Sequence, residues 1–211
     1  MSAAAHAGAW TFTSPYVVLA RENVDTDQII PARFLTTTSR DGLGPHAFHD
    51  WRYRPGGAPD PEFPLNRAAA LGARVLVAGH NFGCGSSREH AVWALLGAGV
   101  RAVVSSGFAD IFRGNALGNG LLPVEVPAEV LAALVAAGGG PSARVRVDLP
   151  ACMLGTPDGR TVSFPVPPFA RHCLLHGIDE LEFLLGAEAD VRAYERARPA
   201  AIDTTAAAGA A

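Results

Sequence analysis

The residues best suited to chemistry lie in one short turn that follows the apolar run Val75–Ala78. This turn, from Gly83 to Arg88, places two serines and an arginine directly before a helical pattern. The start of a helix offers unpaired backbone N–H groups and the positive end of a dipole, both of which stabilise anions. Arg88 adds a planar guanidinium suited to a bidentate contact with a carboxylate. The pattern predicts that Ser86 or Ser87 caps the helix and that the turn binds a carboxylate or an alkoxide.

The sequence of this turn does not match three other known glycine-rich or nucleophile motifs. Gly83 and Gly85 allow a tight reversal, but the dinucleotide fingerprint needs a third glycine where Arg88 stands. The phosphate-binding P-loop needs a lysine, and a nucleophile elbow needs Gly-x-Ser-x-Gly. Taken alone, the turn could also be only a capped connection between a strand and a helix.

Composition excludes several classes of function. The formal net charge is −3 and the pI is near 6.1, which gives no electrostatic basis for binding nucleic acid or an anionic membrane. All 17 basic side chains are arginine, so a Schiff-base lysine is excluded. The apolar runs are shorter than the roughly 20 residues that a membrane span needs. We expect a soluble globular protein whose partners are small anions or another protein.

The three cysteines, Cys84, Cys152 and Cys173, are far apart in the sequence. Their spacing matches neither an iron–sulfur loop nor paired zinc knuckles, so we expect no metal bound by this chain alone. A small odd number of cysteines and no secretory pattern at the start favour a reducing, cytoplasmic location.

The elements that position the turn follow an α/β alternation. We predict strands at 16–20, 75–78, 102–104 and 121–126, and helices at 87–96, 109–116 and 128–137. The segments 143–149 and 161–164 form a predicted hairpin around Pro157-Asp158-Gly159. Residues 36–64 form a long loop rich in Gly and Pro, and a helical C-terminal segment runs from 169 to 198. The Ala-rich ends, 1–15 and 199–211, are expected to be disordered.

The string from Asn81 to His90, Asn-Phe-Gly-Cys-Gly-Ser-Ser-Arg-Glu-His, resembles the small subunits of aconitase-type dehydratases, those of bacterial 3-isopropylmalate dehydratase above all. Further similar strings follow in the same order. They are Asn23–Pro31, Phe34-Leu35, Phe48–Arg52, Phe108–Phe112 with Asn115, Gly120–Val124, Arg171–Cys173 and Gly177–Asp179. The resemblance covers residues 16–198 and implies a single layered β/β/α swivelling domain of the aconitase type.

The resemblance also implies an activity. Members of this family move the hydroxyl of 2-isopropylmalate by one carbon through dehydration to an alkene and rehydration, in leucine biosynthesis. A [4Fe-4S] cluster on the large-subunit partner binds the hydroxyl and a carboxylate of this small dicarboxylate. Ser86 corresponds to the serine that removes the proton next to a carboxylate, and Arg88 corresponds to a carboxylate-binding arginine. The alternative for Ser86 is a helix cap only, and for Ser87 a cap is favoured over substrate binding.

Several neighbouring residues have two interpretations each. Asp27 is either a turn former or the acid that orients the arginine or the serine. Arg40 is expected to be the second substrate-binding arginine, with Arg33 as its competitor. Cys84 suits packed backbone between glycines better than nucleophilic or metal chemistry. For His90 a structural hydrogen bond is favoured over catalysis.

Two other functions stay open at this point. A related hydro-lyase would act on homoaconitate, on methylmalate or citraconate, or on a 2-substituted malate of secondary metabolism, and the loop 34–42 would distinguish it. A non-catalytic anion-binding or assembly subunit is the alternative from another class, and the intact Ser86 and Arg88 argue against it.

Overall fold

A computed structural model describes residues 10–67 and 71–198. The chain divides into two compact units, the first ending at Gly177 and the second beginning at Ile178. The predicted disorder of residues 1–15 is wrong for residues 10–15, because Trp10 is buried and a strand begins at Thr11. Residues 1–9 and the tail 199–211 lie outside the described part, so disorder there stays a prediction.

The described strands of the first unit form one mixed sheet in the order β4-β3-β2-β1-β5-β6-β7. Neighbours from β1 to β4 pair in parallel, whereas β1 to β5, β5 to β6 and β6 to β7 are antiparallel. The strands are β1 (Thr11–Leu19), β2 (Val75–Ala78), β3 (Ala102–Ser105), β4 (Leu122–Glu125), β5 (Gly140–Asp148), β6 (Met153–Gly155) and β7 (Thr161–Ser163). The α/β class predicted from the sequence is confirmed.

Helices of the first unit cover both faces of this sheet, and two further helices belong to the second unit. In chain order they are α1 (Thr26–Ile29), α2 (His49–Arg52), α3 (Glu89–Gly97), α4 (Asp110–Gly118), α5 (Ala128–Ala137), α6 (Pro168–His176), α7 (Glu180–Gly186) and α8 (Glu188–Ala197). Short 3-10 turns lie at Ala32–Phe34, Gly44–His46 and Pro64–Asn66. The second unit contains α7 and α8. Within the described ranges, no helix combines the length and the apolarity needed to cross a membrane.

Two hydrophobic cores lie on opposite faces of the sheet, and β2 shows why. All four of its side chains are buried, as expected for a central parallel strand. Val75 and Val77 belong to the core covered by α5 and α6, whereas Leu76 and Ala78 belong to the core covered by α1, α3 and α4. The strand period of two therefore sends alternate residues to the two cores.

The antiparallel end of the sheet differs from the prediction. The Asp158-Gly159 turn joins β6 to β7, and β5 pairs with β6, so a hairpin of β5 with β7 is wrong. The strand that was missed, Met153–Gly155, has three residues, of which only Leu154 is buried. Such a short strand carries too little alternation to be recognised from its letters.

The parallel half of the sheet brings the candidate residues to one edge, the edge at which its strands end. Parallel strands have their carboxyl ends at the same edge, and ligands of α/β proteins bind there. The segments that follow β1, β2 and β3, residues 20–25, 79–88 and 106–109, therefore meet at one edge. The predicted catalytic turn is the middle one of the three.

Candidate functional site

Backbone hydrogen bonds hold the turn after β2 to the segments on both sides. It exchanges them with the segment after β1 and with the segment after β3. They run from Asn23 N to His80 O (2.8 Å), Gly83 N to Val24 O (2.8 Å), Thr26 N to Cys84 O (2.8 Å), Phe82 N to Gly107 O (3.1 Å) and Ala109 N to Phe82 O (3.1 Å). Because these bonds involve main-chain atoms only, the path of the turn depends little on its exposed side chains.

The two glycines of the turn are required for two reasons each. Gly83 has φ +78° and Gly85 has φ +88°, a region that side-chain-bearing residues rarely adopt. A Cβ at Gly83 would overlap the ring of Phe112, and a Cβ at Gly85 would overlap the carboxylate of Asp25. The glycines therefore support the site by letting backbone approach packed groups closely.

The two aspartates of the preceding segment have different structural roles. Asp25 is the N-cap of α1 and forms a capping box with Gln28, and its carboxylate also accepts from the backbone N–H of Asp27 at 2.6 Å. Asp27 forms an ion pair with Arg88. Asp25 is thus the residue that forms the turn, and Asp27 is the one in contact with the arginine.

The predicted serine cap of the following helix is wrong. The helix begins at Glu89 rather than at Ser87, and Arg88 is its N-cap residue with extended backbone (φ −143°, ψ 107°) and no side-chain cap bond. Ser86 lies three residues before the first helical residue. Its carbonyl accepts from the buried Thr26 hydroxyl at 3.0 Å, which fixes the serine backbone ahead of the helix.

The serine hydroxyls are consequently available to a ligand. Ser86 and Ser87 are both exposed, and neither hydroxyl has a hydrogen-bond partner within residues 10–67 and 71–198. The next residue in the chain is Arg88, whose side chain is only 17% exposed. The turn therefore presents two hydroxyls without a partner in the described residues, next in the chain to an arginine that is paired through Nη1 with Asp27.

The two candidate arginines of the following loop have contrasting environments. Arg33 is paired with Asp50, whose pKa is lowered by that contact, and it lies 4.7 Å from the ring of Phe34. Arg40 is exposed, lies 5.5 Å from the ring centroid of Trp93, and has no ion-pair partner among the described residues. Of the two, Arg40 is thus the one whose charge is not paired with a carboxylate within the described residues.

Two residues that were considered for chemistry have structural roles. Burial, followed by the charge of Asp25, raises the pKa of the Cys84 thiol, which disfavours the reactive thiolate. His90 lies 2.8 Å through Nε2 from the carbonyl oxygen of Thr37, a structural hydrogen bond as the sequence predicts. Over the ranges that the structure describes, no three His, Cys, Asp or Glu side chains are grouped to hold a metal ion.

Comparison with known proteins assigns a family to this geometry. The family sequence model described as the aconitase C-terminal domain matches residues 15–129, more than half of the chain. The chain belongs to the aconitase C-terminal domain family. The match runs from within β1 to beyond β4 and includes every predicted site residue and the three segments that meet at the carboxyl edge.

Curated relatives of this family are similar over nearly their whole length. The chain is 61% identical over 182 residues to the 3-isopropylmalate dehydratase small subunit of Anaeromyxobacter dehalogenans (strain 2CP-1), covering 86% of this chain and 94% of that one. It is 54% identical over 195 residues to the protein of that name from Roseiflexus sp. (strain RS-1), covering 92% and 96%. A crystal structure of 3-isopropylmalate dehydratase from Methanocaldococcus jannaschii matches with a TM-score of 0.64 at 28% identity, covering 87% and 99%.

In this member of the aconitase C-terminal family, two asparagines that were not predicted as site residues shape the turn. Asn23 and Asn81 both have positive φ, 54° and 57°, and the Asn81 amide donates to the Asn23 side-chain oxygen at 2.9 Å. Asparagine tolerates this backbone region better than most other side chains. Both residues stand in the strings that carry the resemblance, so a positive-φ interpretation of each could have found the contact.

Proposed function

We propose that this chain is the small subunit of a 3-isopropylmalate dehydratase, a hydro-lyase that is active only with its large subunit. The complex interconverts 2-isopropylmalate and 3-isopropylmalate through isopropylmaleate in leucine biosynthesis. Similarity to curated small subunits supports this, at 61% identity over 86% of the chain. The observation that carries the proposal is that Ser86 and Ser87 are exposed, with hydroxyls that have no partner in the described residues, directly before the largely buried side chain of Arg88.

Arg88 suits one carboxylate of the substrate. Its Nη1 contacts Asp27, which leaves the other N–H groups of the guanidinium for a ligand. The ion pair limits the rotation of a long side chain, so less conformational entropy remains to be lost when the substrate binds. Ser87, exposed and without a partner in the described part of the chain, adds a hydrogen-bond donor to the same carboxylate.

Ser86 is the proposed base. In the dehydration step it takes the proton from the carbon next to a carboxylate while the hydroxyl leaves the neighbouring carbon. In rehydration it returns the proton. A serine is a poor base unless its alkoxide is stabilised, and Ser86 lies too far before α3 to be its cap. Stabilisation of the alkoxide therefore depends on Arg88 and on positive charge that the partner brings.

The iron–sulfur cluster belongs, in this proposal, to the large-subunit partner. The three cysteines of this chain lie on separate elements: Cys84 is in the catalytic turn, Cys152 is between β5 and β6, and Cys173 is buried on α6. They do not fit a cluster site, which needs several thiolates together. The bound cluster supplies Lewis-acid assistance to loss of the hydroxyl, and this chain binds the carboxylate and moves the proton. The cytoplasmic location predicted from the sequence stays a prediction.

Reconstitution tests the proposal directly. The chain is combined with a cluster-bearing large subunit, and the absorbance of the alkene is followed with 2-isopropylmalate and, in parallel, with homoaconitate and methylmalate. We expect no turnover by this chain alone and turnover of 2-isopropylmalate by the complex. A preference for another 2-substituted malate would assign the related hydro-lyase. An assembled complex that turns over none of these compounds would favour the non-catalytic subunit.

A further inference from the structure

Two contacts hold the loop from Thr36 to Asp41 against the exposed side of α3. His90 Nε2 lies 2.8 Å from the carbonyl oxygen of Thr37. Three residues further along the helix, the ring of Trp93 lies 5.5 Å from the guanidinium carbon of Arg40, within cation–π range. One contact therefore fixes the backbone of the loop, and the other fixes the side chain that carries its charge.

The tryptophan itself is held firmly. Its indole N–H donates to the side-chain oxygen of Asn119 at 2.8 Å, and the Asn119 amide donates to the Asn115 carbonyl at 2.9 Å. The imidazole of His90 packs against the indole, with ring centroids 4.7 Å apart. Because Asn115 lies in α4 and Asn119 is its C-cap, a second helix supports the indole that contacts Arg40.

The same helix begins directly after Arg88. Trp93 lies five residues beyond Arg88, which corresponds to about 7 Å along the axis of an α-helix. Arg88 is largely enclosed and paired with Asp27, whereas Arg40 is exposed and, among the residues that the structure describes, has no acidic partner. A single rigid element thus carries the anchor points of both arginines.

We infer that α3 sets the position of Arg40 relative to Arg88, and that His90 and Trp93 are positioning residues for the second carboxylate of the substrate. This inference rests on the proposed function, since it assumes that a dicarboxylate bridges the two arginines. It assigns to both residues a role that acts through Arg40 and its loop.

The variants that test this inference are chosen from the hydrogen-bonding chemistry of the His90 contact. A carbonyl oxygen only accepts, so Nε2 must carry hydrogen, and it does so both in the Nε2–H tautomer and in the charged imidazolium. His90→Phe keeps a ring against Trp93 but removes the donor. His90→Gln restores an N–H donor on a flexible chain. Trp93→Leu removes the aromatic face beneath Arg40.

The experiment measures KM and kcat of the reconstituted complex with 2-isopropylmalate. We expect His90→Phe and Trp93→Leu each to raise KM about ten-fold with kcat changed less than about two-fold, the pattern of lost uniform binding. His90→Gln should recover KM to within about three-fold of wild type. Arg40→Ala should raise KM at least as much, and His90→Phe should add little in the Arg40→Ala background, because both changes remove one interaction. The matched control Arg33→Ala, which removes the paired loop arginine, should leave KM within about two-fold.

Hydrogen exchange on the same variants separates the two proposals. The amides of residues 36–41 should exchange faster in His90→Phe than in wild type or His90→Gln, with or without the large subunit. If the wild-type complex fails to convert 2-isopropylmalate, the proposed function fails while the exchange result still decides whether His90 anchors the loop. Unchanged exchange in His90→Phe, full additivity with Arg40→Ala, or a fall in kcat at constant KM would each overturn the inference.

Discussion

The two segments that carry the candidate arginines are held in opposite ways. The turn from Gly79 to Arg88 is fixed at residues 79–84 by main-chain hydrogen bonds to its two neighbours, and its glycines cannot be replaced without overlap. The Thr26 hydroxyl adds one bond to the carbonyl of Ser86. The loop from Thr36 to Asp41 is held by its own short-range hydrogen bonds and by two side chains of α3. The first segment is therefore held mainly by its backbone, and the second mainly by side chains.

We relate this difference to two separate properties, the reaction that is catalysed and the substrate that is selected. A turn held mainly by its backbone keeps its serines in one place when the surface around it changes, which suits a proton transfer that needs fixed geometry. A loop held by a few side chains can be repositioned by single substitutions, which suits the choice among 2-substituted malates. The predictions that follow test this division, beginning with the change expected to have the largest effect.

Replacing the proposed base should abolish most of the turnover. Ser86→Ala removes the hydroxyl but keeps the carbonyl that accepts from Thr26, so the subunit should assemble normally. We expect kcat to fall roughly 10²- to 10⁴-fold, the usual contribution of a positioned base. Ser87→Ala, the neighbouring exposed serine, should instead raise KM and keep kcat within a few-fold. Near wild-type kcat in an assembled Ser86→Ala complex would show that the base lies elsewhere.

The glycines offer a direct comparison of the two segments. Gly85→Ala should cost about 3 kcal/mol or more, since it combines positive φ with overlap of the Asp25 carboxylate. Gly42 follows the loop, also has positive φ (+78°), and has open space around its Cβ position. Gly42→Ala should therefore cost only the backbone penalty of about 1–2 kcal/mol. Thermal and denaturant unfolding of the two variants measure this difference, and equal losses would contradict the packing argument.

Asp27 tests whether the ion pair orients Arg88 or stabilises the fold. The carboxylate is 51% exposed, so the pair should contribute no more than about 1 kcal/mol to stability. Asp27→Ala should leave the unfolding temperature nearly unchanged but raise KM about three- to ten-fold, because the guanidinium loses its fixed direction. Asp25→Ala is the matched control: it removes the cap of α1 and should lower stability by about 1 kcal/mol. A stability loss in Asp27→Ala without a KM effect would reverse the two roles.

The sequence predicted well where one local rule decides the structure. The strand Val75–Ala78 and the helix Ala128–Ala137 have the predicted bounds, because an uninterrupted apolar run and a helical period before Gly138 define them. The structure also places Ser86, Ser87 and Arg88 together in a turn at the carboxyl edge of the sheet, as the glycine pattern indicates.

The errors arose where tertiary contacts override local preference. Ser87 is a good cap by residue type, but the Thr26 hydroxyl bonds the carbonyl of Ser86 and delays the helix to Glu89. Strand β1 begins at Thr11 because it pairs with β5, a partner more than 120 residues away that no local window contains. The contacts of Arg40 with Trp93 and of Thr37 with His90 likewise depend on packing between distant segments. Local pattern therefore locates the reacting groups and does not reveal what holds them.

The smallest effect is expected for the other loop arginine. Arg33 lowers the pKa of Asp50, so the pair stabilises the fold above about pH 4 and that contribution is lost as the pH falls through the lowered pKa of Asp50. In Arg33→Gln this acid-dependent part should disappear, while KM for the substrate stays within about two-fold. Unfolding temperatures from pH 2 to pH 6, with Asp50→Asn as the matched variant, measure the first effect. A KM increase as large as that of Arg40→Ala would make Arg33 the substrate-binding arginine, and would place the specificity contact on the 3-10 turn Ala32–Phe34 instead of the loop anchored on α3.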